Sequence, residues 1–135
     1  MIMRNILVLL FTASFLIFYT SVHAEEAIRE NILGSWEGPL VIGRDNMKLA
    51  FTFTLQGEEI AAVLTSNGLG IYGMPADTVI VDDRRITIRI PRLDLEFTGV
   101  ARMNKSGAVL RIDGDWFQYS EMVPVVLRPV DNPSF

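Results

Sequence analysis

Gly34-Ser35-Trp36-Glu37-Gly38 is the stretch that decides the predicted fold of this chain. It holds a tryptophan between two glycines, at the point where the hydrophobic period changes from 3.6 residues to 2. Before it, Ile28 and Ile32 share one face of a helical turn or two, for which Gly34 is a plausible C-terminal stop. After it, apolar and polar residues alternate along most of the chain, as they do in half-buried β-strands.

The strongest alternation lies in residues 47–56, and the turn that follows sets its pairing. Gly57-Glu58 suits a two-residue hairpin turn with glycine in the first position. The resulting register pairs large residues with small ones across the two strands, which fills a curved interior. The predicted inner-face pairs are Phe51 with Leu64, Phe53 with Ala62 and Leu55 with Ile60.

Two later segments extend this inner face. A tight turn at Pro91-Arg92 predicts that Arg89 faces Asp94 as an exposed ion pair, while Ile90 faces Leu93. The following strand is predicted to place four apolar residues inside, namely Ala108, Leu110, Ile112 and Trp116.

About eight or nine short strands are expected, with no helix long enough to cover a sheet. An open meander would leave two exposed edges, and closing the sheet removes them. We therefore predict a single antiparallel up-and-down β-barrel over residues 25–128, followed by a flexible tail at 129–135. A two-sheet sandwich is the second reading. Pro124 predicts an edge, a bulge or the seam of the barrel.

Residues 1–24 have the pattern of a secretory signal peptide. Arg4 precedes an uncharged apolar run from Ile6 to Tyr19, and Val22-His23-Ala24 suits cleavage after Ala24. The rival reading is an uncleaved anchor, for which the run is shorter than the roughly 20 residues that span a bilayer. We expect an exported protein, periplasmic or secreted, without stable membrane insertion after cleavage.

The composition of the mature chain limits the classes of partner that it could bind and the kinds of chemistry that it could perform. Removing Arg4 with the signal leaves 11 basic and 16 acidic side chains, a net charge of −5. This mildly acidic balance argues against nucleic acid and anionic membranes as partners. The chain has no cysteine, so its core must stabilise the fold without disulfides. The only histidine, His23, leaves with the signal.

No catalytic constellation stands out in this composition. A serine–histidine triad cannot form without histidine, and a Ser–Lys site would have to use Lys48 or Lys105 at turn-like positions. The mature chain lacks histidine and cysteine, the usual ligands of zinc. Asp113 and Asp115 alone do not make a calcium loop. We therefore predict no enzyme activity, no cofactor and no metal.

Gly68-x-Gly70-x-x-Gly73 matches the dinucleotide fingerprint by letter only. That fingerprint requires a helix after the glycines, whereas Pro75 and the β-branched run at Thr78–Val81 predict a strand. We interpret these glycines as parts of an irregular loop over Ser66–Pro75, the longest in the chain, which could rim a binding mouth.

Taken in order, these motifs resemble a known family. Gly34-x-Trp36 after a helical turn resembles the lipocalin and calycin signature. The whole mature chain is similar to a small lipocalin-like β-barrel module of bacterial exported proteins, often found ahead of α/β-hydrolase or β-lactamase-like domains. The matching stretches are Gly34–Leu40, Leu49–Leu55, Ser66–Pro75, Gly114–Gln118 and Pro124–Arg128.

The resemblance implies a fold and a location. Its structural signature falls on Gly34, Trp36, Gly114, Trp116 and Arg128. The hydrolase part has no counterpart here, so no catalytic residue carries over. Asn67-Gly68-Leu69 also departs from the acidic residue and glutamine that such modules commonly have in this loop.

Two functions follow as expectations. The first is a non-catalytic barrel that binds a small apolar or amphipathic ligand at its mouth. The second is an accessory module that docks on an envelope hydrolase or another envelope protein, for which Ala50, Ala61 and Val63 suggest an outer apolar patch. The candidate ligand-binding residues are Phe51, Phe53, Leu64, Ser66, Tyr72, Phe97, Trp116 and Gln118. The alternative is a filled lumen, in which both tryptophans plug the barrel and Phe51, Phe53 and Phe97 are large enough to occupy its interior.

Overall fold

The computed structural model describes residues 25–135, so the predicted signal peptide lies outside the described residues. A short helix, α1, occupies residues 25–31. Nine strands follow: β1 Gly34–Ile42, β2 Asp45–Gln56, β3 Glu59–Ser66, β4 Ile71–Pro75, β5 Thr78–Asp82, β6 Arg85–Ile90, β7 Leu95–Met103, β8 Val109–Gln118 and β9 Glu121–Val130. Two 3₁₀ turns lie at Asn67–Leu69 and Pro91–Leu93. The all-β prediction, with its strand count and N-terminal helical turn, is confirmed.

The strands form one curled antiparallel sheet in the order β4-β3-β2-β1-β9-β8-β7-β6-β5. Every pair of consecutive strands is hydrogen-bonded except β4 and β5, and β9 pairs with β1, as in an up-and-down barrel. Because neighbouring strands alternate in direction, β4 and β5 run the same way. They are the two edge strands of the sheet, which curls into a half-barrel, and the chain bends at Ala76-Asp77 to pass from one edge to the other.

The concave side of the sheet is a continuous apolar core. Phe51, Phe53 and Phe97 are at most 1% exposed, and the rings of Phe51 and Phe97 lie 5.3 Å apart between centroids. The α1 side chain Ile28 and nearby Ile32 are fully buried and close one end of the sheet. Side chains therefore fill the concave side of the curled sheet.

The hairpin from β2 to β3 has the predicted register. Phe51 pairs with Leu64 and Phe53 with Ala62. Gly57 has a φ of +66°, which a glycine adopts without strain in the first position of the turn. One assignment on this hairpin is wrong, because Leu55 is 54% exposed. It lies next to the turn, where the hairpin extends beyond the core.

The predicted turn at Pro91-Arg92 is wrong by two residues. Pro91–Leu93 form a 3₁₀ turn that ends at Asp94 in the left-handed conformation, with φ 51°. Arg89 therefore pairs with Glu96, at 3.2 Å, instead of Asp94. The shift of two residues keeps the same residues inside, because side chains alternate with a period of two.

Because of a β-bulge, the residues of β8 that face the core differ from those predicted. Met103 pairs with Val109, while Arg102 pairs with Arg111, so Leu110 is the extra residue of the bulge. As a result Val109 is buried and Leu110 is 49% exposed. Ala108 precedes the strand and is also exposed.

The predicted loop over Ser66–Pro75 is mostly regular structure. Ser66 ends β3 with its side chain buried, a 3₁₀ turn spans Asn67–Leu69, and β4 begins at Ile71. Gly70 and Gly73 have φ near +70°, in keeping with glycines that reverse and bend the backbone. The segment is therefore a tight connection and an edge strand.

The junction between β1 and β9 explains Pro124. The two strands pair only over Ser35–Glu37 and Arg128–Val130. Pro124 lies on the remaining part of β9, which pairs with β8 alone. A proline is tolerated there because its missing N–H faces no ladder partner, in keeping with the predicted irregular position on this strand.

The last strand is longer than predicted. β9 ends at Val130, two residues beyond the expected end of the barrel. In the predicted flexible tail, Ser134 donates from its backbone N–H to the Glu37 carboxylate, at 2.7 Å.

Candidate functional site

The predicted lumen of the barrel is filled by its own side chains. Phe51, Leu64 and Phe97 have no accessible surface. A side chain that lines a water-sized void keeps accessible surface toward it, so these three residues line none. Their packing gives no support to the hypothesis of a ligand inside the barrel.

The other predicted ligand-binding residues do not converge on one place. Ser66 Oγ is buried and donates to the Lys48 carbonyl at 2.7 Å, and Gln118 Nε2 donates to the Leu93 carbonyl at 2.8 Å. Tyr72 is 73% exposed. Trp116 is buried, and within residues 25–135 its indole N–H has no hydrogen-bond acceptor.

The residues of the predicted signature have structural contacts. Trp36 is buried and its Nε1 donates to the Ile32 carbonyl at 2.7 Å, which ties α1 to β1. Gly114 lies where an added Cβ would be 2.5 Å from the Phe97 ring. Arg128 pairs across strands with Glu37.

The predicted apolar patch on the outer face is mostly covered. Ala50 is only 1% exposed, and Ala61 and Val63 are half-buried. Ser134 contacts both Glu37 and Lys48, which are neighbours of Ala50 on that face, so the C-terminal residues cover it. The expectation of an exposed patch there is wrong.

The structure instead brings together a groove that we call the seam: the gap between Glu59–Ala62 of β3 and all of β5. Its narrow end is fastened at the bend, where Ala76 N–H donates to the Ala62 carbonyl at 2.8 Å and Asp77 N–H to the Arg89 carbonyl at 3.0 Å. Beyond this point β3 and β5 are not paired with each other. β4 pairs with β3 only from Val63 onward, and β5 pairs with β6.

Both walls of the seam are strand edges without a ladder partner in the described chain. On β3, the bond to the Ala62 carbonyl shows that this residue's polar groups point away from β2. Backbone direction repeats every two residues, so the N–H and C=O of Ile60 also point into the seam.

The β5 wall follows from its neighbours. The bond from Ala101 N–H to the Arg84 carbonyl makes Arg85 and Val100 a non-hydrogen-bonded pair, so Arg85 directs its polar groups toward β5. By the same alternation, Val79 and Val81 direct their backbone groups away from β6, into the seam.

The floor of the seam is apolar and its rim is polar. Ile60, Ala76, Val79 and Val81 are partly buried and pack against the core. The groove has a volume of about 480 Å³. Its polar lining residues are Arg29, Gln56, Glu59, Asp77 and Thr78.

Two arginines bracket the seam. Arg29 of α1 donates through Nη2 to the Glu58 carbonyl, so the helix forms one end wall. Arg92 donates to the Pro75 carbonyl at 3.0 Å and to the Asp77 carboxylate at 3.2 Å, on the far side of the bend. Hydrogen bonds from Arg92 and to the Ala62 and Arg89 carbonyls therefore fix the bend, while the groove beyond it is open.

A second cluster of charges lies on the outer face of β7 and β8. The Asp113 carboxylate accepts from Arg111 Nε at 2.9 Å and from Arg102 Nε at 3.0 Å. The hydrogen bond from Arg111, together with the one from Arg102 and the charges of both, holds the pKa of Asp113 below its ordinary value of 3.8 against a smaller opposing effect of burial.

The described chain offers little else for chemistry. Lys48 Nζ lies 3.4 Å from Ser134 Oγ, but both residues are exposed, whereas catalytic lysines of this type are desolvated. Within residues 25–135, no group of three or more His, Cys, Asp or Glu side chains could hold a metal ion.

In the same range, no helix combines the length and apolarity needed to cross a membrane.

Comparison with family models, curated proteins and solved structures finds no match to this chain. Sequence reasoning missed the seam because strand alternation does not reveal where a strand changes partners. The available signal was Pro75-Ala76-Asp77, a short break before the β-branched run of β5.

Proposed function

We propose that this chain is an exported, non-catalytic interaction module that binds an extended segment of a partner polypeptide in the seam. The observation that carries the proposal is a pair of unpaired strand edges on either side of an apolar floor. Natural proteins usually protect such edges, because an edge is a template for another strand. Here the backbone groups of Ile60, Val79 and Val81 are directed into an open groove.

Strand addition uses both features of the seam. The hydrogen bonds of the edges supply affinity that does not depend on sequence, and pockets for alternate side chains supply specificity. An added strand would direct every second side chain onto the floor formed by Ile60, Val79 and Val81, and the others to solvent. The partner segment should therefore alternate apolar and polar residues.

The test uses a fluorescent peptide of alternating valine and serine, with a peptide of the same composition in two blocks as the control. Fluorescence anisotropy should show binding of the alternating peptide and much weaker binding of the block peptide. The absence of binding for the alternating peptide would contradict strand addition.

A pair of variants locates the site. Val79→Pro removes an N–H that points into the seam and leaves the ladder to β6 intact, so it should weaken binding about fivefold for one hydrogen bond worth about 1 kcal/mol. Val79→Ile keeps the N–H and the apolar floor and should bind as the unmodified protein does. Equal affinities of the proline and isoleucine variants would place binding elsewhere.

A small amphipathic ligand is a second candidate, because the volume of the seam is within the range of small-molecule sites. Its apolar part would lie on Val79 and Val81, and an anionic group would approach Arg29. Native mass spectrometry of the protein purified from its own source distinguishes the two: a copurifying lipid-like mass supports this candidate, and a copurifying polypeptide supports the first.

A further inference from the structure

Six outward residues of β7, β8 and β9 form a block on the outer face of the sheet, which we call the outer block. They lie in two rows, and in each row one residue from each strand pairs with the next. They point outward because the residues between them along the strands, Phe97, Trp116 and Val123, pack in the core. The first row is Glu96, Phe117 and Met122, and the second is Thr98, Asp115 and Pro124.

Two large apolar side chains of the outer block are open to solvent. Phe117 is 43% exposed and Met122, directly across from it, is 65% exposed. Together with Glu96, Thr98 and Asp115 they line a shallow cavity of about 290 Å³. Sites for whole small molecules occupy roughly 300–1,000 Å³. The cavity therefore suits a single side chain of a larger partner.

The cavity is acidic. Its lining contains two carboxylates, Glu96 and Asp115, and none of its lining residues is basic. Glu96 accepts from Arg89 Nε at 3.2 Å through Oε2, so its other oxygen is free of hydrogen bonds within residues 25–135. Asp115 is exposed and has no ion pair in the same range. Even counted with Arg89, the cavity keeps one net negative charge.

The neighbouring Asp113 has its charge balanced within the chain, whereas Asp115 does not. Asp113 lies two residues before Asp115 on the same face of β8 and accepts from Arg111 at 2.9 Å and from Arg102 at 3.0 Å. These two arginines are therefore held at Asp113. The Asp115 carboxylate stays free beside the ring of Phe117, which is the arrangement that a cation from outside the chain would complete.

We propose that the outer block binds an arginine side chain of a partner polypeptide. A guanidinium stacks on an aromatic ring and donates to carboxylates through its planar fork, so Phe117 and Asp115 suit it together. Glu96 and Asp115 are diagonal neighbours across β7 and β8, about 7–8 Å apart, so one guanidinium can contact both. The mature net charge of −5 also favours the approach of a cationic partner.

The experiment is a titration of the isotope-labelled protein, as recovered from the producing cell, followed by the NMR shifts of its backbone amides. The probe is the capped peptide Gly-Pro-Arg-Pro-Gly. Its prolines prevent strand addition in the seam and supply apolar surface for Met122. Saturable shifts are expected at Thr98, Asp115 and Phe117, and the affinity should fall as sodium chloride is raised. A peptide with citrulline, an uncharged isostere, in place of arginine should bind much more weakly.

Two substitutions assign the roles of the carboxylate and the ring. Asp115→Asn should weaken binding about fivefold, through loss of a charge-assisted hydrogen bond. Asp45→Asn, the same change of charge at the exposed start of β2, is the matched control and should have much less effect. Phe117→Leu keeps an apolar side chain but removes the ring, so it should abolish the preference for arginine over lysine in the probe. A purely structural role of Phe117 would leave that preference unchanged.

Four results would overturn the proposal. The first is the absence of saturable shifts at the outer block, and the second is equal binding of the citrulline and arginine peptides. The third is an equal loss for Asp115→Asn and Asp45→Asn, which would show a response to net charge alone. The fourth is binding of arginine amide as tightly as the peptide, which would assign the cavity to a small cation. None of these results depends on whether the seam binds a peptide.

Discussion

The two tryptophans differ at the level of a single hydrogen bond. Trp36 donates its indole N–H to the Ile32 carbonyl, and this bond ties α1 to the barrel. Trp116 is equally buried, but its N–H has no acceptor in the described chain. The sequence makes the two look equivalent, since each follows a glycine by two residues. Their difference depends on the Ile32 carbonyl, just after α1, which accepts from Trp36.

Gly114 is required because there is no room for a side chain. An added Cβ would lie 2.5 Å from the Phe97 ring and 2.8 Å from the Thr98 carbonyl oxygen, and Phe97 is fully buried. We expect Gly114→Ala to destabilise the protein by about 1–3 kcal/mol through overpacking, which thermal denaturation would record as a loss of several degrees.

Gly68→Ala is the matched control for this change. There the three atoms nearest to the added Cβ all belong to the partly buried side chain of Met47, the nearest being Cγ at 2.6 Å, whereas at Gly114 they belong to the fully buried Phe97 ring and to the backbone. A smaller loss than for Gly114→Ala is therefore expected, because the Met47 side chain has more freedom to shift. Comparable losses for the two variants would contradict the packing explanation.

Asp113 predicts a dependence of stability on pH. Its pKa is lowered in the folded state, so the group stabilises the protein above its ordinary value of 3.8, and this contribution is lost as the pH falls through the lower folded value. Because the ion pairs are largely exposed, Asp113→Asn should cost under about 1 kcal/mol at neutral pH.

Urea denaturation at a series of pH values checks this prediction. The difference between the variant and the unmodified protein should close below pH 3.8. A difference that persisted at low pH would show that the asparagine acts through packing, independently of charge.

Among the elements, the hairpin of β2 and β3 was predictable and the bulge of β8 was not. Gly57-Glu58 determines a turn type, and the turn type determines the register of Phe53 with Ala62. The bulge at Leu110 has no local signal, because an extra residue on one strand is defined only by its partner β7. The connection after Ile90 is two residues longer than predicted because Pro91–Leu93 form a 3₁₀ turn that ends at Asp94.

The approach of β1 to β9 gives a prediction at this scale. Gly38 lies against the Val126 carbonyl, where an added Cβ would collide with the backbone. We expect Gly38→Ala to separate the two strands near their short ladder and to destabilise the protein by about 1–3 kcal/mol.

Hydrogen exchange locates the effect of this change. Amides of β9 near Arg128 should lose protection, while those of the β2–β3 hairpin should exchange at rates set by the global loss of stability alone. Equal loss of protection in the two regions beyond that global change would contradict a local separation.

At the scale of the whole molecule, the class of fold was predictable from the period of the hydrophobic pattern, and the site was not. The predicted ligand-binding residues Phe51, Phe53 and Phe97 are apolar because they fill the core. The seam depends on where β4 and β5 change partners, which is a property of the assembled sheet. The resemblance of the sequence motifs to a known family could predict the curled sheet, but not the seam.

The predicted export gives a further test on the whole chain. If residues 1–24 are a signal peptide, the protein recovered from the producing cell should begin at Glu25. Intact-mass measurement would show this directly, and a mass that includes residues 1–24 would support the anchor reading instead.

The bend at Ala76-Asp77 has a consequence for folding. Every strand pairing except one joins consecutive strands, so β1–β4 and β5–β9 are two meanders, and among the strand pairings only that of β1 with β9, over three residue pairs, joins one meander to the other. Local contacts form faster than distant ones. We therefore expect the two meanders to form first and their docking through β1 and β9 to limit the rate of folding.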